Sequence, residues 1–443
     1  MNRADRRWHQ HDDKHYPMKT PLHYLVAARQ SEIAELEQIS RASNLVASMS
    51  ELVHALQKER GLSNIFLVSG GAQAQQSLLD HGLHVDRVME RVCLALEELG
   101  ARAPGAHGAR LFNAIANALQ GFEALPLLRR RRDALQLSAE DCTQALIRMI
   151  AACLTVVFEA ADSACDPDIA KLLVALFHFM QGKELAGQER ATGVAAFTAG
   201  AGRTERQRHW LHLIESQERC FQVFADFASP SGMERWQQQC GACPDMTVIE
   251  RLRRLGCTAG DGMALDCSLS SPWFEACSSR LDAMHQIEAF LAAELQARCL
   301  RKLEQAGAAL SQQLALLEMQ PQPATRAEAA AAFLGATQPV ASLSAEGAYG
   351  LQLEKSIVLL VQEQSMRLQD MQTEIDKARA TLKERKTIER AKGVLMNYRQ
   401  LSEGEAYKLI RQTAMNQNRR MLDVAEAILA TVDLLPGSTN SSL

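Results

Sequence analysis

Two short stretches pair an acid with an arginine and then run into small residues. ERGLSNIFLVSGG occupies 59–71 and ERATGVAAFTAGA occupies 189–201. Each opens on Glu-Arg after a nearby glutamine, and each reaches a glycine eleven positions after the Glu (Gly70, Gly200). Arg60 and Arg190 are planar, permanently charged forks that suit a small planar oxyanion. The small residues after them (Gly61 and Ser63; Ala191 and Gly193) let helices approach and leave room beside a guanidinium. A buried arginine without a partner is costly, so either Glu59 and Glu189 pair with these arginines or an anion does. The repetition suggests one helix-and-turn device used twice, facing itself across a cleft.

A third cluster is basic. Residues 376–420 hold twelve Lys or Arg against five Asp or Glu, in a chain of 443 residues whose net charge is -4. Such a local excess is the electrostatic footprint of a nucleic-acid reader. Ile388, Ala391 and Leu395 recur at helical spacing, leaving Arg390 and Lys392 largely outside that stripe. Ser402 and Glu405 have capping-box spacing, so a second helix should begin near Glu403. Its apolar face is Ala406, Leu409, Ile410, Thr413 and Ala414, with Arg411 beside it. Leu422, Val424, Ala425, Ile428 and Leu429 mark a third helix. Tyr398 and Tyr407 are expected to be half-buried core residues.

The elements that must carry these groups are helices. Aromatics are few, Ala, Leu, Gln and Glu abound, and alternating strands with Asn-Gly turns are hard to find. The fold class expected is all-α. From residue 23 to about 319 the chain reads as a succession of long helices. Residues 319–345 are rich in Pro, Ala and Ser and read as a linker. Ile357, Val361, Leu368, Met371, Ile375, Ala378 and Leu382 then keep the steps of a short heptad seam that could pair two chains or pack on the bundle.

Other chemistries find less support. Eleven cysteines are scattered, with Cys240 and Cys243 the only close pair, and they read as reduced thiols. His9, His11 and His15 lie in a polar N-terminal stretch that reads as a disordered tail. His54 and His178 read as core or flanking residues. No P-loop, dinucleotide fingerprint or nucleophile elbow is present, so no catalytic residue, metal site or cofactor is assigned and an enzyme is the poorest reading. The N-terminal stretch lacks the apolar core of a signal peptide. No run reaches the roughly 18 apolar residues of a membrane span; Met149 to Val157 and Leu172 to Met180 are of buried-helix length. A cytoplasmic protein without membrane contact is expected.

ERKTIERAKGVLM followed by EAYKLIRQTAMNQNRRMLDVA resembles the ANTAR domain, the RNA-binding output module of bacterial antiterminators. The resemblance spans roughly 60 residues, with several separated blocks in order. It implies binding to paired hairpin loops in leader RNA, by a homodimer, with RNA polymerase affected indirectly. Contacts to RNA are expected from Lys386, Arg390, Lys392, Arg411, Arg419 and Arg420, which can neutralise phosphates or stack on splayed bases.

LVHALQKERGLSNIFLVSGG and GKELAGQERATGVAAFTAG resemble the two hallmark segments of the NIT domain, a nitrate- and nitrite-sensing helical bundle. That resemblance implies anion binding by arginines, carried onto Arg60 and Arg190. A further arginine is expected in VIERLRRL, where Arg253 is preferred over Arg251 and Arg254. SPWFEACSSRLDAMHQIEAFL resembles the end of that domain, with Trp273 as core.

The resulting organisation is a tail at 1–20, a NIT bundle at 21–318, a linker at 319–345, a coiled-coil helix at 346–374, an ANTAR domain at 375–436 and a tail at 437–443. Together the resemblances imply a nitrate- or nitrite-responsive regulator. With anion bound between Arg60 and Arg190 it would release its basic module, prevent transcription termination and so favour nitrate and nitrite assimilation genes. The alternatives are a sensor of another small anion or of a partner protein, or a DNA-binding one-component regulator.

Overall fold

The structure, a computed structural model, describes residues 21–100, 109–162, 166–241 and 244–318. In the C-terminal part it describes 373–376, 380, 384, 387–396, 398–399, 401, 403–417 and 419–433. Both tails, the linker, nearly all of the heptad seam through residue 372, and Lys386 lie outside the described residues. The described residues are helical, apart from turns and one isolated bridge between Ala201 and Ala264.

Nine helices precede the linker region among the described residues: α1 (Pro21–Val68), α2 (Gln75–Gly100), α3 (Ala109–Asp133), α4 (Ala139–Asp162), α5 (Pro167–Thr198), α6 (Thr204–Phe227), α7 (Pro230–Trp236), α8 (Pro244–Thr258) and α9 (Ser270–Glu318). A π turn, Gln237–Gly241, follows α7, and a 3-10 turn, Cys267–Leu269, precedes α9. We number the helices of the basic region α10 (residues 387–396), α11 (Glu403–Gln417) and α12 (Met421–Asp433). The chain divides into two compact units. The smaller includes α1 up to Glu37 and α9 from Arg301, where Leu36 and Ala306 are buried. The larger, residues 38–300 with 371–443, holds every residue discussed below.

The centre of the larger unit is α5. Asp166 caps it, accepting from the backbone N–H of Asp168 (3.0 Å) and Ile169 (3.1 Å), and Pro167 takes the first helical position, where no N–H is needed. From Ile169 to Met180 it is buried on nearly all sides, as its apolar run requires of a core helix. α4 packs against it. That helix is apolar and long enough to cross a membrane by composition alone, over Ala139–Ala161, a longer apolar stretch than the 149–157 run suggests. Two thirds of its apolar window (67 %) is buried in the bundle, which is the behaviour of a core helix.

The repeated motif ends alike in both copies. Gly70 (φ +62°) and Gly200 (φ +66°) both adopt the left-handed conformation that closes a helix without a Cβ clash. After α1 the turn is of the Schellman kind: the Gly71 N–H donates to the Phe66 carbonyl (2.8 Å) and the Gly70 N–H to that of Leu67 (3.2 Å). After α5 the Gly200 N–H donates to the Phe197 carbonyl (3.0 Å), and the Ala201 bridge ties this turn to the segment leading into α9.

Beyond that turn, Phe197, Trp210 and Trp273 form an aromatic core with Ile249 and Leu252. The two indoles stand edge to face, centroids 5.0 Å apart. In the basic module, Ala391, Leu395, Ala406, Ile410, Ala414, Val424 and Ala425 form one small core among α10, α11 and α12. These are the positions the helical spacing singles out.

Candidate functional site

Successive residues on an α-helix are turned by about 100°, so a Glu-Arg pair cannot present both charges to one neighbour. That rotation decides the partners. On α1, Gln57, Arg60, Gly61 and Asn64 share a face, three and four residues apart. On α5, Glu184, Gly187, Arg190 and Ala191 do the same. These two faces meet.

Each arginine lies over a glycine of the opposite helix. A Cβ on Gly61 would stand 2.7 Å from Arg190 Nη2, and one on Gly187 would stand 2.6 Å from Arg60 Nη2. Of the small residues singled out in the sequence, Gly61 therefore has the expected role. Ser63 instead accepts from Arg132 (3.1 Å), Gly193 faces the Trp273 indole, and Ala191 lines the cavity. Gly187, which precedes the repeated motif, is the missed counterpart of Gly61.

Both motif acids turn away from the arginines beside them. Glu59 accepts a two-pronged pair of bonds from Arg129 (2.8 Å each) and another from Arg132 (3.0 Å), both on α3. Glu189 accepts a two-pronged pair from Arg253 on α8 (2.6 Å each), with Trp210 Nε1 (3.0 Å) and Gln217 Nε2 (2.8 Å) completing its shell. Arg280 Nη1 stands 3.9 Å away. Burial alone would raise both carboxyl pKa values, but the arginine hydrogen bonds and charges outweigh it and hold both below the ordinary carboxylate value.

Arg60 finds its carboxylate elsewhere, on Glu184: Nη1 to Oε1 2.5 Å and Nη2 to Oε2 3.2 Å. Gln57 (2.8 Å) and Gln188 (2.9 Å) donate to the same carboxylate. Arg190 is differently placed. It donates to Ser278 Oγ (2.9 Å) and reaches the Gln57 carbonyl (3.4 Å), while its guanidinium lies 5.0 Å from the centre of the Phe274 ring. No carboxylate among the described residues forms an ion pair with it. Burial, followed by the charge of Arg60, lowers the Arg190 pKa to about 10. The backbone carrying Arg190 is fixed by Trp273, whose Nε1 donates to the Arg190 carbonyl (2.9 Å). Trp273 is fully buried, as expected of a core residue.

A cavity of about 20 Å³ is shared by the two arginines and walled further by Gly61, Asn64, Gly187, Ala191 and Phe274. Arg60 and Arg190 both line it; Arg253 does not, being held on Glu189. The sequence signals for Glu184, Gly187 and Arg129 were weak. Glu184 and Gly187 precede the Glu-Arg repeat, and Arg129 sits in a four-arginine run (129–132) remote in sequence from either copy.

The two histidines near the motifs are internal. His178 is buried against Phe177, and His54 stacks on His285 with centroids 3.8 Å apart. Burial, then the charge of Lys183, lowers the His54 pKa far below its ordinary value.

The basic module lies against α6. Arg411 donates to Glu215 (2.9 Å), Arg219 lies 4.2 Å from the centre of the Tyr407 ring, and His212 faces that ring at 5.1 Å. Neither tyrosine is half-buried: Tyr407 is buried, whereas Tyr398 is 55 % exposed and lies outside the small apolar core. Arg390, Arg419 and Arg420 are exposed, with Arg420 contacting Asp423 (3.2 Å). Lys392 is buried and paired with Glu389 (2.9 Å). A cleft of about 1380 Å³ is bounded by the module and by α4, α5 and α6, and Glu184, His212, Arg219, Lys392, Tyr407 and Arg420 all reach it.

Residues 51–296 match the NIT family, described as nitrate and nitrite sensing, and residues 376–429 match the ANTAR domain. The chain is 33% identical over 410 residues to the nitrate regulatory protein of Klebsiella oxytoca, covering 92% of this chain and 94% of that protein. It is also similar to the solved structure of the NasR transcription antiterminator, with a TM-score of 0.57 and 32% identity over 94% of this chain and 99% of the other. With two arginines converging in a helical bundle and a basic three-helix module after it, the chain belongs to the NIT family of nitrate and nitrite sensors and carries a C-terminal ANTAR domain.

Proposed function

We propose that this protein is a nitrate- and nitrite-responsive regulator that binds hairpins in leader RNA and prevents transcription termination. The observation that carries the sensing half is the convergence of Arg60 and Arg190, each over a glycine of the opposite helix, with Arg190 unpaired to any described carboxylate. Two forks facing one another can grip a planar anion from both sides, and the anion offsets their repulsion. Arg253 serves the same site from behind, by holding Glu189 and thus the start of the second motif.

The ANTAR match and the exposed Arg390, Arg419 and Arg420 support the output half; Lys386 and Arg411 join them when the module is free. In the described arrangement Arg411 is engaged by Glu215 and Tyr407 is covered by α6. An anion that binds better to the arrangement without these contacts releases the module. The released module acts as a homodimer on paired hairpins in the cytoplasm, affects RNA polymerase through the RNA, and raises expression of nitrate and nitrite assimilation genes.

The test is binding of the full-length protein to a two-hairpin leader RNA, with nitrate or with chloride, at one ionic strength, because phosphate contacts are so sensitive to salt. Tighter binding with nitrate than with chloride is the expected result. Equal binding in both would separate the bundle from control of the module, and preference for duplex DNA would overturn the RNA assignment.

A further inference from the structure

Resting on that reading of Arg60 and Arg190, we propose that Glu184 is a built-in competitor for the anion. Nitrate binds by taking the place of its carboxylate on Arg60, and Glu184 then turns into the cleft that faces the output module.

The first ground is space. A cavity holds one water when about 10–15 Å³ is open to the centre of a water-sized sphere. The 20 Å³ cavity lined by Arg60 and Arg190 therefore has room for about one water and too little for a planar ion of four heavy atoms. Something must move. Besides the two arginines and three small residues, Asn64, Ile65, Val194 and Phe274 wall the cavity, and Phe274 lies against Arg190. Glu184 does not itself line this cavity, but its departure frees the two Arg60 donors beside it that an anion needs.

The second ground is chemistry. Glu184 presents two oxygens to Arg60 in the fork-to-fork manner by which an oxyanion would bind. Exchange of one such anion for another leaves Arg60 with a counter-anion throughout. Displacement therefore exposes no additional cation to a dry interior. The same exchange filters ligands, since an ion that cannot engage the fork through two oxygens does not match what it removes.

The third ground is an exit. Glu184 is nearly fully buried, yet it forms part of the wall of the large cleft, and Asn64, Ala191 and Val194 line both spaces. The opposite wall of that cleft carries Ile388, Lys392, Tyr407 and Met421 of the module. A carboxylate turned into this cleft changes the charge on the surface against which the module rests. Glu184 thereby links anion occupancy to the output module, and the apparent affinity for nitrate is lowered by the fraction of molecules in which Glu184 stays on Arg60.

The experiment is calorimetric titration of the full-length protein with sodium nitrate in three forms: wild type, Glu184→Gln, and a double variant Gln57→Ala with Gln188→Ala. The double variant keeps both charges and removes the amides that hold Glu184, so it serves even if Glu184→Gln fails to fold. We expect Glu184→Gln to bind nitrate about tenfold more tightly and the double variant to change in the same direction. A wild type that binds nitrate while the variants bind it no more tightly, or more weakly, overturns the proposal and makes Glu184 an orienting partner of Arg60. No binding by any of the three overturns the underlying assignment of the anion site, and this proposal with it.

Discussion

Arg190 places its guanidinium where a side chain on Gly61 would begin, 2.7 Å from the position of that Cβ. The arginine reaches this point because α1 offers no side chain there. The same is true of Arg60 over Gly187, so the proposed anion site is built as much from two missing methyl groups as from two charges.

Gly61→Ala and Gly193→Ala should fail in different ways. The neighbour at Gly61 is the far end of a flexible arginine, which can swing aside. This variant should fold with a melting temperature close to wild type but lose nitrate affinity by about tenfold or more, since one bidentate partner is misplaced. At Gly193 the Cβ would stand 2.2 Å from Trp273 Nε1, in a rigid aromatic core. That variant should lose stability, by about 1–3 kcal/mol as overpacking typically costs. Thermal melts and nitrate titrations of the two proteins check the contrast.

Glu189→Gln should destabilise the bundle and flatten its response to acid. Removing one partner of a buried ion pair costs about 3–5 kcal/mol, because Arg253 keeps its charge without a counterion. The Glu189 carboxyl is held below its ordinary value of 4.5 in the folded state. The unfolded chain therefore binds the proton first. Its stabilisation is complete above about pH 4.5 and is lost as pH falls through the lower folded value. Urea midpoints should drop with acid more steeply in the wild type than in Glu189→Gln over that window; parallel curves would refute the assignment.

The basic residues of the module should separate by burial. Arg390→Ala, Arg419→Ala and Arg420→Ala should each weaken leader-RNA binding and lower the slope of log K against log salt by about one. Lys392 is buried beside Glu389, so Lys392→Ala should act mainly on the stability of the module and leave the slope near its original value. Affinities measured at three salt concentrations decide between these behaviours.

Weakening the contact with α6 should raise RNA binding in the absence of nitrate. The Arg411 and Glu215 pair is about half exposed and worth at most about 1 kcal/mol. The stacking of Arg219 on Tyr407 adds roughly 0.5–1 kcal/mol. The double variant Glu215→Ala with Arg219→Ala should therefore bind RNA about twofold to thirtyfold better without nitrate, and its response to nitrate should shrink accordingly. Unchanged basal binding would mean that this surface does not restrain the module.

Much of this protein is local and therefore legible in its residues. Ile388, Ala391 and Leu395, and Ala406, Ile410 and Ala414, announce by spacing the faces on which α10 and α11 bury themselves. Gly70 and Gly200 mark helix ends because only glycine enters the left-handed region freely there. Composition alone excludes strands as the main element. Arg60 and Arg190 stand out because a repeated Glu-Arg before small residues is conspicuous without any coordinates.

Partnership, by contrast, was decided by tertiary structure. Nothing in the order of residues says that Glu59 turns to Arg129, that Glu189 turns to Arg253, or that Arg60 takes Glu184. The reason is geometric. A helix rotates each residue away from the next, so the partner of a charge is chosen by whichever helix packs on that face, and packing joins residues tens to hundreds of positions apart. The same holds for Gly187, whose part in the site exists only because Arg60 crosses above it. The sequence determined which groups could bind an anion or a phosphate; the packing of α1 on α5 determined which of them are left able to do so.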